Sequence, residues 1–81
     1  MATINSMQSR AARSLLGWTQ QKLADEAGVA LATIQCFESD KRVPIANNLT
    51  AIIRALENGG VEFIPERNGK GAGVRLSKAN P

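Results

Sequence analysis

The chain has 81 residues, which is enough for one domain with a small core and leaves no room for a catalytic domain beside a regulatory one. Its 10 Lys and Arg against 7 Asp and Glu give a net charge of +3, mildly basic and compatible with a nucleic-acid partner. With one cysteine, Cys36, and no histidine, an intramolecular disulfide is excluded and no metal site or cofactor is expected.

Residues 1–5 read as a frayed end. Ser6 is placed to cap a first helix over 6–16. In that helix Met7, Ala11, Leu15 and then Trp18 recur at helical spacing and predict the inward stripe, with Arg10 and Arg13 outside it. Gly17 breaks the helix. Thr19 is a good N-cap for a second helix over 20–27, and Lys22 stands where a capping box would place Glu. Ala24 supplies the small residue that a close helix crossing needs. Gly28 ends the second helix, because glycine takes left-handed backbone without a Cβ clash, and Val29 plugs the turn.

A third helix is expected over 31–39, with Ile34 and Phe37 on an inner stripe that faces Leu23 and Ala27. Residues 40–44 form a loop in which Asp40 tolerates the left-handed turn. A fourth helix over 46–58 buries Leu49, Ile52, Ile53 and Leu56, and Gly59 and Gly60 end it. The period then changes. Segments 61–64 and 73–76 are short and partly alternating, and the turn formers between them predict a two-stranded hairpin with a long loop. Such a hairpin is marginal alone and must pack on the helices or on a second copy. The expected division is a helical domain over 6–58, a hairpin over 59–76 and a disordered tail over 77–81. Much of the basic excess lies in the last part: residues 1–58 carry a net +1 and residues 59–81 a net +2.

The run from Thr19 through Gln20, Leu23, Ala24, Gly28 and Val29 to Thr33, Ile34, Phe37, Glu38 and Pro44 has the spacing of a helix-turn-helix, whose second helix enters the DNA major groove. From about Arg10 to Leu56 the chain resembles the Cro/repressor-type, or XRE, family of transcription regulators. The resemblance implies a mainly α fold, a small four-helix lambda-repressor-like DNA-binding domain, here followed by the hairpin. It also implies a dimer that binds double-stranded DNA at an operator and regulates nearby promoters.

Carried over residue by residue, the resemblance gives Gln20 a backbone phosphate at the start of the second helix, with Thr19 and Gln21 beside it. Lys41, Arg42 and Asn47 match the phosphate-gripping loop and the start of the fourth helix. Glu38 has a structural role, tying the third helix to the following loop. The base-reading positions match Ala30, Leu31, Ala32, Thr33, Gln35 and Cys36. Gln35 is the one strong hydrogen-bonding reader among them, suited to adenine, and Ala30, Leu31 and Ala32 offer only methyl contacts. So apolar a face has a second reading, in which the third helix is an antitoxin-like or anti-activator surface for another protein.

A dimer would read two half-sites one helical turn, or ~34 Å, apart. Val61, Phe63, Ile64, Val74 and Leu76 are its expected interface, and Arg67, Lys70 and Arg75 offer charge along the DNA backbone. Gly69, Gly71 and Gly73 around Lys70 lack the pattern of a phosphate-binding loop and read as a turn. Trp18 reads as core, and Cys36 as an inert thiol. Without histidine or tyrosine, and with no paired carboxylates, an enzyme is not expected. No run reaches the ~18–20 apolar residues of a membrane span and no signal peptide is visible, so a cytoplasmic protein away from membranes is expected.

Overall fold

The computed structural model describes residues 3–79. Four helices, α1 (Ser6–Leu16), α2 (Gln20–Ala27), α3 (Leu31–Glu38) and α4 (Ala46–Gly59), precede an antiparallel pair, β1 (Val61–Ile64) and β2 (Gly73–Leu76). The expected mainly helical domain with a C-terminal hairpin is therefore what forms. Leu23, Ile34, Ile52 and Leu56 are fully enclosed at its centre. Ala24 from α2, Phe37 from α3 and Ile53 from α4 close around them.

Local signals set α2 and α3 as expected. The Thr19 hydroxyl accepts the Lys22 N–H at 3.0 Å and caps α2. Gly28 takes φ 69°, and its N–H and that of Val29 close the end of the helix on Ala24 and Asp25. The chain can then fold back so that Ile34 and Phe37 meet Leu23. Asp40 adopts φ 62° after α3, the left-handed turn anticipated there. α4 runs one residue further than expected. Gly60, at φ 122°, caps it, and Gly59 is its last residue. A Cβ on Gly59 would stand 2.7 Å from the Trp18 ring and 2.9 Å from Leu16, so this glycine is needed for close approach and not for turning. Trp18 accordingly packs against the core.

α1 departs from its expected orientation. Its cap is Asn5 and not Ser6: the Asn5 side chain accepts the Gln8 N–H at 2.8 Å, and the Gln8 side chain accepts the Asn5 N–H at 2.9 Å. Ser6 instead donates to the Asp40 carboxylate at 2.6 Å. Ile4 is buried in the core, so the frayed end expected over residues 1–5 does not extend to it; Met1 and Ala2 lie outside the described residues. The predicted inward stripe faces out. Met7 is 63% exposed, Leu15 is 43% exposed, and Ala11 is exposed as well. Gln8, Ser9 and Ala12 are buried in their place. The cause is polar. Ser9 and Arg13 reach a buried carboxylate on α3, and Gln8 donates to the Gly73 carbonyl of β2 at 2.9 Å.

The hairpin is part of this core. Val61 pairs with Leu76 and Phe63 with Val74, and all four side chains pack on the helices. The Ser77 N–H reaches the Gly60 carbonyl at 2.9 Å, one step beyond the strands. At the tip, Arg67 and Lys70 exchange backbone hydrogen bonds at 3.1 and 2.9 Å around Asn68 (φ 55°) and Gly69 (φ 76°). Two central residues with positive φ are what a tight hairpin turn requires. The glycine-rich segment is thus a turn. Of the tail expected over 77–81, Asn80 and Pro81 lie outside the described residues.

Candidate nucleic-acid interface

α3 divides its residues cleanly. Ile34, Phe37 and Glu38 are buried, and Leu31 leans on the core beside them. Ala32 and Gln35 are exposed, with Ala30 exposed just before the helix. Thr33 and Cys36 are half-buried at the flank. Of the six positions matched to base reading, then, three form an open outer face. The inward set of Leu31 is a departure from the expected reading surface, and its reason is the apolar contact available there.

The first half of the loop after α3 is held in two ways. The N–H groups of Lys41 and Arg42 return to the Cys36 carbonyl at 2.9 and 3.3 Å, and Asp40 is tied to Ser6 of α1. Lys41 and Arg42 are exposed, and among the described residues neither forms an ion pair. Asn47, in the first turn of α4, is exposed at the mouth of a groove shared with Glu26, Thr50 and Arg54.

At the start of α2 the three expected clamps already have partners inside the chain. Thr19 caps the helix, Gln20 Nε2 donates to Glu38 at 3.1 Å, and Gln21 Nε2 donates to Asp25 at 2.8 Å. A hydroxyl proton on Thr19 and a second amide proton on each glutamine remain for another acceptor. The internal bonds fix the side chains that carry them.

Glu38 is the centre of this arrangement, and its role differs from the one the resemblance implied. It ties α3 to α1 and α2 and not to the following loop. Its carboxylate accepts from Ser9 Oγ at 2.6 Å, from Arg13 at 2.7–3.1 Å and from Gln20. Its backbone carbonyl accepts from Arg10. Burial pushes the Glu38 carboxyl up. The hydrogen bonds from Arg13, Ser9 and Gln20, with the Arg13 charge, outweigh that and hold it below the ordinary carboxylate value. The sequence signal for this network was the pair Ser9 and Arg13, one turn apart on the same side of α1.

The expected dimer face of the hairpin needs correction. Val61 is only 3% exposed and belongs to the core. Phe63, Val74 and Leu76 share its face and pack on the helices. Their apolar surface is used within the chain, as a two-stranded ribbon requires. Ile64 is the most exposed of the five, at 37%, on the side carrying the Glu62–Arg75 ion pair.

Two helices crossing at a small residue, a left-handed glycine between them and an open face on the second define a helix-turn-helix DNA-binding domain. A family model described as helix-turn-helix matches residues 10–63, well over half of the chain. The chain belongs to that family, the Cro/C1-type or XRE regulators, which bind DNA. No curated protein matches it. Among the described residues no helix is long and apolar enough to cross a membrane.

Proposed function

We propose that the protein is a sequence-specific transcription regulator that binds as a dimer to a palindromic operator in the cytoplasm. The observation that carries this reading is the outer face of α3. Gln35 stands there exposed, with no side-chain hydrogen bond of its own among the described residues, one turn after Ala32, and the small Ala30 and Ala32 let the front of the helix approach bases closely. Gln35 is the principal reader, and its bidentate pairing with adenine is worth ~1–3 kcal/mol of discrimination. Ala30 and Ala32 lie against thymine methyls or sugars, and Thr33 and Cys36 follow at the flank. Thr19, Gln20 and Gln21 at one end, and Lys41, Arg42 and Asn47 at the other, hold phosphates.

The inward set of Leu31 favours this reading over a protein-binding third helix. It removes the largest apolar side chain from the exposed face and leaves little for an apolar partner to bury. The test is selection of randomised duplex DNA at near-physiological salt, followed by sequencing. The expected result is a palindrome with half-sites one turn apart. In the Gln35→Ala variant the preference should relax at one adenine position per half-site, while binding to unrelated duplex persists. No enrichment by the folded protein overturns the proposal, as does a uniform loss across all sequences on removing Gln35.

A further inference from the structure

The hairpin holds two cross-strand pairs of charged residues, and they are opposite in kind. Within the strands Glu62 stands opposite Arg75, and the two form an ion pair. At the tip Arg67 stands opposite Lys70, and both are exposed. The turn at Asn68 and Gly69 keeps these two in register with a hydrogen bond in each direction. Their side chains therefore leave one face of the ribbon, from Cβ atoms about 5 Å apart. Like charges set directly opposite each other are destabilising. Among the described residues no carboxylate pairs with either cation, neighbouring Glu66 included.

The tip is rooted beside the loop that follows α3. On the first turn of α1, Ser6 donates to Asp40 of that loop, and Gln8, two residues on, donates to the Gly73 carbonyl at the end of the hairpin. Thr3, Ile4 and Asn5 lie between the two roots. They line one groove with Arg42 and Val43 and a second with Pro65, Glu66 and Ala72. Lys41 and Arg42 thus leave the same end of the molecule as Arg67 and Lys70. None of the four cations has an ion-pair partner among the described residues. The acids beside them are Asp40, which Ser6 holds, and Glu66, so the six residues keep a net +2. The roots lie about one helix diameter, or ~10 Å, apart, and the tip reaches three residues, roughly 10 Å, past Gly73.

We infer that Arg67 and Lys70 grip backbone phosphates of the DNA, a contact that the hairpin adds to those of the helix-turn-helix. The inference rests on the regulator reading above, in which Lys41 and Arg42 hold phosphates, and extends the footprint past them. A phosphate set against the pair is attracted by both cations and offsets their mutual repulsion. The turn already fixes the pair, so little order is lost on binding. Each DNA strand presents a phosphate for every 3.4 Å of helix rise. A separation of roughly 10–20 Å from Lys41 and Arg42 is then about three to six such steps, and a backbone held at the loop offers further phosphates at the distance of the tip. An acidic protein would also suit two bare cations. Their place at the end that holds Lys41 and Arg42 favours DNA. The match to the helix-turn-helix family ends at residue 63, so this contact lies outside the matched region.

The test is binding of the full chain to a long duplex over a range of salt concentrations. With Arg67→Gln and Lys70→Gln together, the log–log salt slope should fall by about 0.9 for each phosphate released, or by about one to two in all. The sequences selected from randomised duplex should not change, because phosphates hold no base information. The double variant should unfold no earlier than the parent, since it loses only a like-charge pair. If it does not fold, Lys70→Gln alone decides, by a fall of about 0.9. Arg75→Gln removes one cation that Glu62 already pairs and should leave the slope near the parent value. A double variant with the parent slope overturns the inference, and this is also the outcome if the tip serves an acidic protein. An equal fall with Arg75→Gln overturns it too, because net charge alone would then act, and so does a changed set of selected sequences. The two readings fail separately. A parent chain that binds no duplex overturns the regulator reading. A parent chain that binds duplex with a slope indifferent to the tip overturns only the hairpin contact.

Discussion

The α2–α3 pair and α1 bury opposite kinds of surface. Across the turn at Gly28 the buried residues, Glu38 apart, are apolar ones at the spacing that a helical period predicts: Leu23, Ala24, Ile34 and Phe37. In α1, Gln8 and Ser9 are buried while Met7 and Leu15 are largely exposed. The difference lies in what each helix meets. α2 and α3 meet each other through Leu23, Ala24, Ile34 and Phe37, and area burial decides their rotation. α1 meets Glu38. A buried carboxylate stripped of its partners costs about 3–5 kcal/mol. Turning out Met7 and Leu15 forgoes at most about 1.5–3 kcal/mol for each, both keep part of that through their neighbours, and the same rotation buries Ala12 and packs Leu16 on the core in exchange. Rotating α1 to satisfy Glu38 is therefore the better solution. An apolar period locates a helix, and a buried charge next to it can set which way the helix faces.

The largest effect should come from Val61→Lys. Were the hairpin a surface for a second copy, this change would give folded monomers. Because Val61 sits at 3% exposure in the core, it places an unpaired ammonium among apolar groups. The expected loss is about 4 kcal/mol or more, seen as loss of the cooperative thermal transition by circular dichroism. A stable, folded monomer would restore the hairpin as the interface.

Glu38→Gln should come next, at about 3 kcal/mol, because Arg13 loses its charge partner while much of the shape is kept. The pH dependence gives a second reading of the same site. The Glu38 carboxyl lies below its ordinary value in the folded chain. Its contribution is thus complete above the unfolded carboxyl value of about 4.3 and is lost as pH falls through the lower folded value. Urea unfolding of the parent chain should therefore weaken more steeply below that pH than unfolding of Glu38→Gln. Parallel acid limbs would mean that Glu38 does not hold α1 in place.

Glycines and apolar periods carry most of what was legible. Gly28 fixed the turn between α2 and α3, the α4 stripe gave three of its buried residues, and the change to alternation after Gly60 marked both strands. Those signals are local, so the sequence contains them whole. The rotation of α1 was not local. Ser9, Ala12, Arg13 and Leu16 also lie at helical spacing, and only the position of Glu38, 25 residues beyond Arg13, selects that stripe over Met7, Ala11 and Leu15. The hairpin has a similar ambiguity, since Val61 and Phe63 look alike whether they pack on the chain's own helices or on another copy. On α3 the exposed Gln35 was readable. The inward set of Leu31 was not, because an apolar residue at the start of a helix fits either face.

The smallest expected effect on stability is the sharpest test of the comparison. Met7 has the spacing of a core residue and the exposure of a surface one. Met7→Gln keeps the length and helix propensity of the side chain and removes its apolar character. With 63% of Met7 exposed, the folded monomer should lose no more than about 0.5 kcal/mol, measured by urea unfolding at low protein concentration. Had the apolar stripe faced the core, the same change would bury an unsatisfied amide at a cost of about 1–3 kcal/mol. The two orientations of α1 thus differ by a measurable amount at one residue. A cost at the upper figure would mean that α1 follows the rule of the α2–α3 pair after all, with Glu38 satisfied some other way.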